Sequence, residues 1–177
     1  MVVLREARFS EDAEQIASID TSFTTAIIYI PRRDGDVILL EQVTLDVPIT
    51  KRFPIDDLNK RDSPLEFAVV ATINDRICGF IAADYQVWNR RVTIRHLYVD
   101  SRQREQGIGR ALTDRAEEYG IEKGALSMWA ETSSLNTPGI RAYRRLGFEL
   151  CGFDTTLYQG TPAENETAIF LARPVPR

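Results

Sequence analysis

The sequence predicts an α/β (α+β) fold with one central mixed sheet, mostly antiparallel, flanked by helices. Three observations predict it. Short apolar runs separated by turn signals fill residues 65 to 99, the pattern of an antiparallel meander. Two helical patterns then alternate with strand-like runs, as crossovers do. Between these halves, the run Val92 to Val99 ends in a glycine-bearing turn, Arg104 to Arg110 (REQGIGR), which opens a helix. A chain of 177 residues fits a single domain over 1–177 with a substantial core.

Taken in order, Val2 to Ala7 reads as a strand. Ser10 is the expected N-cap of a helix from Glu11 to Ile19, with Glu11 and Asp12 suitably acidic for its first turn. Asp20 to Pro31 reads as a short helix and loop, and Asp36 to Val47 alternates as a strand. Thr50 to Pro64 is charged and holds two prolines, so a surface loop near the substrate is expected. Leu65 to Ile73 and Arg76 to Val87 are strands around Asn74-Asp75. Asn89-Arg90 turns the chain into Val92 to Val99. The helix from Gly107 to Lys123 ends at Gly124. Ala125 to Thr132 is a strand, and Thr137 to Leu146 a helix with Pro138 in its first turn and Gly147 past its end. Phe148 to Tyr158 and Thr167 to Ala172 are final strands, paired through the Gln159 to Glu166 turn. The sequence has neither internal repeats nor low-complexity segments.

Composition narrows the function. A net charge of −4 argues against nucleic acid and allows a cationic substrate. Cys78 and Cys151 are too few for a disulfide framework and lie in apolar runs, so both are expected in the core as thiols. No apolar run approaches the ~20 residues that span a bilayer, and the start lacks a signal-peptide pattern. A cytoplasmic protein without a membrane partner is expected. One histidine and two separated cysteines give no metal-ligand spacing, so no bound metal is expected.

A strand, a glycine turn and then a helix make an anion site. The first helical N–H groups lack intrahelical partners and the helix dipole adds positive potential. Gly107 and Gly109 let a phosphate approach the backbone, and Arg104 and Arg110 add charge. A P-loop would need a lysine that is missing after Gly107 and Gly109. A dinucleotide fingerprint would need glycine where Leu112 stands. A tight turn without any ligand stays open on the residues alone.

The surroundings of the turn add to this. RxxGxG after Leu97-Tyr98-Val99, followed by a helix, a strand, Asn136 and the run Ile140 to Phe148 (IRAYRRLGF), resembles the GCN5-related N-acetyltransferase superfamily. A closer resemblance, to the streptothricin (nourseothricin) acetyltransferases, runs from near residue 20 to the C-terminus. Phe23 to Thr25, Lys51 to Pro54 (KRFP), Tyr85 to Arg91 (YQVWNRR) and Cys151 to Gly160 (CGFDTTLYQG) carry it. The family acetylates an amine of the antibiotic's β-lysine moiety.

The resemblance implies a splayed strand pair holding acetyl-CoA, whose pyrophosphate meets backbone N–H groups of Glu105, Gln106, Gly107, Ile108, Gly109 and Arg110. It implies that Leu97, Tyr98 and Val99 pair with the pantetheine arm, that a backbone N–H there polarises the thioester carbonyl, and that Asn136 orients the arm. It puts Tyr143 at the proton-donor position, with Arg144 and Arg145 able to lower its pKa. Glu131, twelve residues before Tyr143, has the base spacing of related N-terminal-amine acetyltransferases. It also allows a homodimer.

The chemistry needs both groups. A lysine-type amine is neutral in about one molecule in 2,500 at pH 7, so reaching the reactive form costs roughly 4–5 kcal/mol. A base and desolvation offset part of that, and the departing thiolate needs a proton. For the acceptor, Asp84, Glu131 and Asp154 are the favoured carboxylates, with Asp56 and Asp57 as further candidates. Tyr85 and Trp88 are candidates for a cleft wall, with core packing as the alternative. His96 in a regular strand opposes Arg95 and Leu97, which favours a supporting role unless a bulge changes the facing.

Two positions depart from the resembled pattern. Arg95-His96 stand where the streptothricin enzymes have a Glu-Asp pair, and Glu105 stands for the first glycine of the turn. Arg95 repels a polycation or meets a substrate carboxylate. Three readings therefore stand: a small-molecule amine acetyltransferase, a protein or peptide amine acetyltransferase, and a non-catalytic acyl-CoA-binding domain.

Overall fold

The computed structural model describes residues 1–55 and 65–176. Asp56, Asp57 and most of the predicted 50–64 loop lie outside the described residues. Nine strands occur among the described residues: β1 (Val3–Glu6), β2 (Phe23–Asp34), β3 (Val37–Lys51), β4 (Phe67–Ile73), β5 (Arg76–Gln86), β6 (Arg91–Val99), β7 (Ser127–Ser133), β8 (Glu149–Asp154) and β9 (Ala168–Pro174). Three α-helices accompany them: α1 (Phe9–Ala17), α2 (Ile108–Lys123) and α3 (Thr137–Arg145). Seven strands follow the order β1-β4-β5-β6-β7-β9-β8, and β2 and β3 form a separate ribbon. The predicted mixed sheet with helices is the observed fold. No described helix is long and apolar enough to cross a membrane.

By contacts the chain divides into two units. The first comprises residues 1–22, 52–129 and 174–177, and the second comprises 23–51 and 130–173.

The first unit holds the antiparallel meander β1-β4-β5-β6. Its strands are Val, Ile and Ala runs, and β5 is buried from Ile77 to Ala83, as a strand covered on both faces must be. On one face α1 and the residues just after it place Ile16 and Ile19 against Val70, Ile77, Phe80 and Ala82. On the other face Gly79 lets α2 approach: a Cβ there would stand 3.0 Å from both Ile108 and Leu112.

The α1 entry corrects the expected Ser10 cap. Arg8 is the N-cap and Ser10 lies inside the helix. Asp12 does the capping work instead, accepting the Arg8 N–H at 2.7 Å and both Arg5 guanidinium nitrogens at 2.7 and 2.8 Å. The carboxylate that was read only as helix-dipole complement is thus a buried ion-pair partner.

The second unit corrects two further expectations. Asp20 to Pro31 is not a helix and loop, because Phe23–Asp34 is a strand paired along its length with β3. The β-branched run of Thr24, Thr25, Ile27, Ile28 and Ile30 suits a pleated ribbon. Pro31 is accepted because a two-stranded ribbon leaves one edge of each strand unpaired. β3 extends the expected 36–47 strand through Lys51. The last hairpin, β8 with β9, is antiparallel as expected, yet β8 stops at Asp154 rather than Tyr158. Cys78 is buried, but Cys151 is exposed on β8, so only one of the two thiols is a core residue.

Candidate functional site

The first unit carries the anion cradle. Beyond Val99, Asp100 accepts the Arg102 N–H at 3.1 Å and the Asp20 N–H at 3.2 Å. Ser101 Oγ donates to Asp20 Oδ2 at 2.6 Å. That bond, with donors from Ser22, holds the Asp20 carboxyl well below the ordinary carboxylate range. Arg104 ties the turn down: its guanidinium donates to the carbonyls of Val99 (3.1 Å), Ser22 (2.7 Å) and Asp20 (3.3 Å). The arginine expected beside phosphate therefore also braces the loop that shapes the cradle.

The turn itself needs two left-handed residues. Glu105 has φ +64° and Gly107 has φ +81°. Gly107 suits its conformation, while Glu105 carries strain that glycine would not. Gly107 is the N-cap of α2. A Cβ on Gly107 would meet nothing within 4 Å, and one on Gly109 only Val99 Cγ2 at 3.8 Å. The backbone of the first helical turn is thus open to an anion on the side where side chains would stand. Gln106 and Arg110 are exposed there, and Ile108 points into the core.

Behind the cradle, Leu97, Tyr98 and Val99 pair with Ile81, Phe80 and Gly79 of β5. Upstream of them the ladder skips a residue. Ala82 faces His96 and Ala83 faces Ile94, so Arg95 is looped out as a bulge. The bulge puts Thr93 and His96 on one face and Ile94 and Leu97 on the other. The bulge named as the exception for His96 is therefore present, and His96 is buried with its ring 5.9 Å from Phe80 and 5.8 Å from Tyr98. Arg95 Nε donates to Asp84 Oδ2 at 2.7 Å. Trp88 lies in a 3-10 turn and is 86% exposed, which excludes core packing for it.

The second unit carries the acid and base candidates. Glu131 sits on β7, and burial raises its pKa. Tyr158 Oη donates to Glu131 Oε1, opposing part of that rise. Burial and the Glu131 carboxylate in turn push the Tyr158 phenol far up, so it stays protonated. Tyr143 on α3 is buried, edge-on to Phe148 at 5.3 Å between centroids. Arg144 lies over Tyr29, 5.4 Å from its ring, and donates to its hydroxyl at 3.4 Å. Its charge therefore lies against Tyr29.

Asn136 is the N-cap of α3. Its Oδ1 accepts the Gly139 N–H at 3.0 Å and its Nδ2 donates to Thr132 Oγ1 at 2.8 Å, which fixes the helix to β7. Asp154 accepts from Thr156 N and Oγ1 and from Leu157 N. Those bonds lower its pKa and commit it to the turn before Tyr158. Near the start of β9, Glu166 accepts from Lys51 and from Ser133. Tyr158 and this Lys51–Glu166–Ser133 group were missed by sequence reasoning. The one signal was the CGFDTTLYQG run, which gave no role to its tyrosine. Among the described residues no cluster of three or more His, Cys, Asp or Glu could hold a metal ion.

Comparison with known proteins gives a consistent picture. Residues 38–148 match the model of the acetyltransferase (GNAT) family. The chain is 39% identical to streptothricin acetyltransferase of Streptomyces lavendulae over 173 residues, 93% of this chain and 91% of the relative. It is 30% identical to the ribosomal protein bS18-alanine N-acetyltransferase of Escherichia coli K12, over 59% of this chain and 68% of that one. Among solved structures, a nourseothricin acetyltransferase superposes with a TM-score of 0.89 at 39% identity, covering 99% of both chains. A Bacillus anthracis structure in complex with acetyl coenzyme A shares the fold, with a TM-score of 0.82 at 23% identity over 98% of this chain and 99% of that one.

Proposed function

Because the chain belongs to the GNAT family of acetyltransferases, we propose that it moves an acetyl group from acetyl-CoA to a primary amine of a small cationic molecule, a streptothricin-type antibiotic being the first candidate. The observation that carries the acceptor is the 39% identity with the Streptomyces lavendulae enzyme, which extends over 93% of the chain and so well beyond the cofactor motif. Residues 1–177 are read as a single acetyltransferase domain working in the cytoplasm.

The residues fit acetyl-CoA. Open backbone at Gly107 and Gly109 and the first-turn N–H groups of α2 suit a pyrophosphate. Acetyl-CoA supplies an activated acyl group on a thiol leaving group. The remaining work falls to the protein. Glu105 to Arg110 bind the pyrophosphate through backbone N–H groups. Leu97, Tyr98 and Val99 orient the pantetheine arm, and Asn136 fixes the start of α3. Glu131 receives the ammonium proton, directly or through a water. Burial raises the proton affinity of its carboxylate, which narrows the gap to an amine. Tyr143 Oη holds the proton that the departing sulfur takes up.

Among the described residues, Glu131 is the carboxylate we assign to a cationic acceptor, with Asp84 contributing only what its pairing with Arg95 leaves, and Asp154 is bound into its turn. Arg95, which would repel a cation if unpaired, is offset by Asp84. A peptide amine is the second reading, favoured by the 30% identity with the bS18-alanine enzyme.

The test mixes purified protein with acetyl-CoA and streptothricin and follows free thiol. Thiol release with a singly acetylated product is expected. Tyr143→Phe should lower kcat by about 10²–10⁴-fold. Acetyl-CoA binding without thiol release for any of a broad amine panel would overturn the proposal, and acetylation of peptides but not polyamines would select the second reading.

A further inference from the structure

We propose that Tyr158 is a positioning residue for Glu131, its phenol fixing the carboxylate that receives the acceptor's proton. The inference rests on the reading of Glu131 as the base.

Tyr158 comes from the segment between β8 and β9, and Glu131 from β7. The phenol donates to Glu131 Oε1, which leaves Oε2 to take a proton. One donor on one oxygen restrains the carboxylate and favours the other oxygen as its basic atom. Such orientation matters because proton transfer requires hydrogen-bond reach in a defined direction.

The segment is anchored on both sides of Tyr158. Before it, Asp154 accepts from Thr156 and Leu157 at 2.7–3.1 Å. Directly after it, Thr161 N and Oγ1 donate to the Tyr158 carbonyl at 3.0 and 2.7 Å. At the far end Glu166 accepts from Lys51 and Ser133, and Thr167 N donates to Ser134 Oγ at 3.1 Å while Ser134 N donates to Thr167 O at 2.8 Å. This anchoring holds one phenol against one carboxylate.

The charges around the pair favour the same division of labour. Glu131 and Glu166 both act against ionisation of the Tyr158 phenol, and Lys51 is paired with Glu166. The phenol therefore stays a donor across the working range, and Glu131 is the member of the pair that changes charge.

Tyr158→Phe removes the donor and keeps the ring. Donation to a carboxylate favours its ionised form, so the variant should have Glu131 titrating at higher pH. Two readouts follow that shift: the acidic limb of kcat against pH, and the side-chain 13C resonance of Glu131 titrated in the free enzyme. Both should move up by about one unit or more. On the acidic limb kcat should fall about tenfold and recover as pH rises, with KM for acetyl-CoA unchanged.

A uniform loss at all pH values, or no loss, with an unmoved 13C titration would overturn the proposal. Fluorotyrosine at position 158 provides the opposite perturbation. A more acidic phenol donates more strongly and should move both readouts to lower pH, whereas a residue that only packs would move neither. Glu131→Gln separates the two levels of inference. If it keeps wild-type kcat while Tyr158→Phe still moves the 13C titration, the base assignment fails and the contact stands. If Glu131→Gln is inactive and Tyr158→Phe moves nothing, the positioning role alone fails.

Discussion

Arg95 Nε meets Asp84 Oδ2 at 2.7 Å, joining the looped-out residue of β6 to the strand beside it. The pair is partly exposed, with 42% of the Arg95 side chain accessible, so it adds only about 0–1 kcal/mol to stability. Under the proposed function its charges act on a cationic acceptor instead. Arg95→Ala should leave the melting temperature nearly unchanged and expose a bare carboxylate. For a dicationic amine KM should fall about three- to tenfold, less for a monocation and less in high salt. Steady-state kinetics at two ionic strengths check this, and an unchanged KM for every amine would place the pair beyond reach of the acceptor.

Glu105 combines a left-handed backbone with a negative charge on the cradle. Glu105→Gly should relieve about 1 kcal/mol of backbone strain, though added freedom of the unfolded chain offsets part of it. It should also tighten acetyl-CoA binding several-fold, most at low salt. Calorimetry of cofactor binding and of melting reads both effects. Weaker binding would mean that the Glu105 side chain serves the cofactor.

Gly139 and Asn136 are locked together. A Cβ on Gly139 would stand 2.2 Å from Asn136 Nδ2, so Gly139→Ala must expel the cap. Losing the cap costs about 0.5–2 kcal/mol, and Asn136→Ala should cost as much. In the double variant the obstruction is gone, and alanine favours the helix by roughly 0.5–1 kcal/mol over glycine. Denaturant unfolding of all four proteins should therefore give a double variant no worse than Asn136→Ala alone. Additive losses would refute the clash.

Asp12 gives acid unfolding a defined source. Its carboxyl is held below the ordinary range, chiefly by the Arg5 hydrogen bonds, with the Arg8 N–H adding to it. The folded pKa lies below the unfolded one, so the fold binds this proton less well. The resulting stability is fully present above about pH 4 and is lost as pH falls through the folded value. Asp12→Asn should cost about 1–3 kcal/mol at pH 7. The gap to the wild type should close toward pH 2 in urea titrations, and a gap independent of pH would assign the loss to packing.

Much of this was legible in the chain. The meander from Leu65 to Val99 and the starts of α2 and α3 announce themselves through local signals: alternation, Asn74-Asp75, Gly107, and Asn136 with Pro138. What was not legible depends on partners far along the chain. β2 exists because β3 pairs with it, and its residues alone looked ambiguous. Asp12 read as first-turn charge because its partner Arg5 lies outside the helix. Tyr158 meets Glu131 across 27 positions, and no periodicity reports such a contact. At Arg95 the bulge was foreseen only as a condition, since a ladder slip depends on the neighbouring strand.

That slip frees one position from the fold's bookkeeping. Every other residue in the middle of β6 serves one packed face or the other, and a change there disturbs a core. Residue 95 answers to neither. Charge can be exchanged at this single codon without repacking the sheet, and stability would resist a change here less than at its neighbours in the strand.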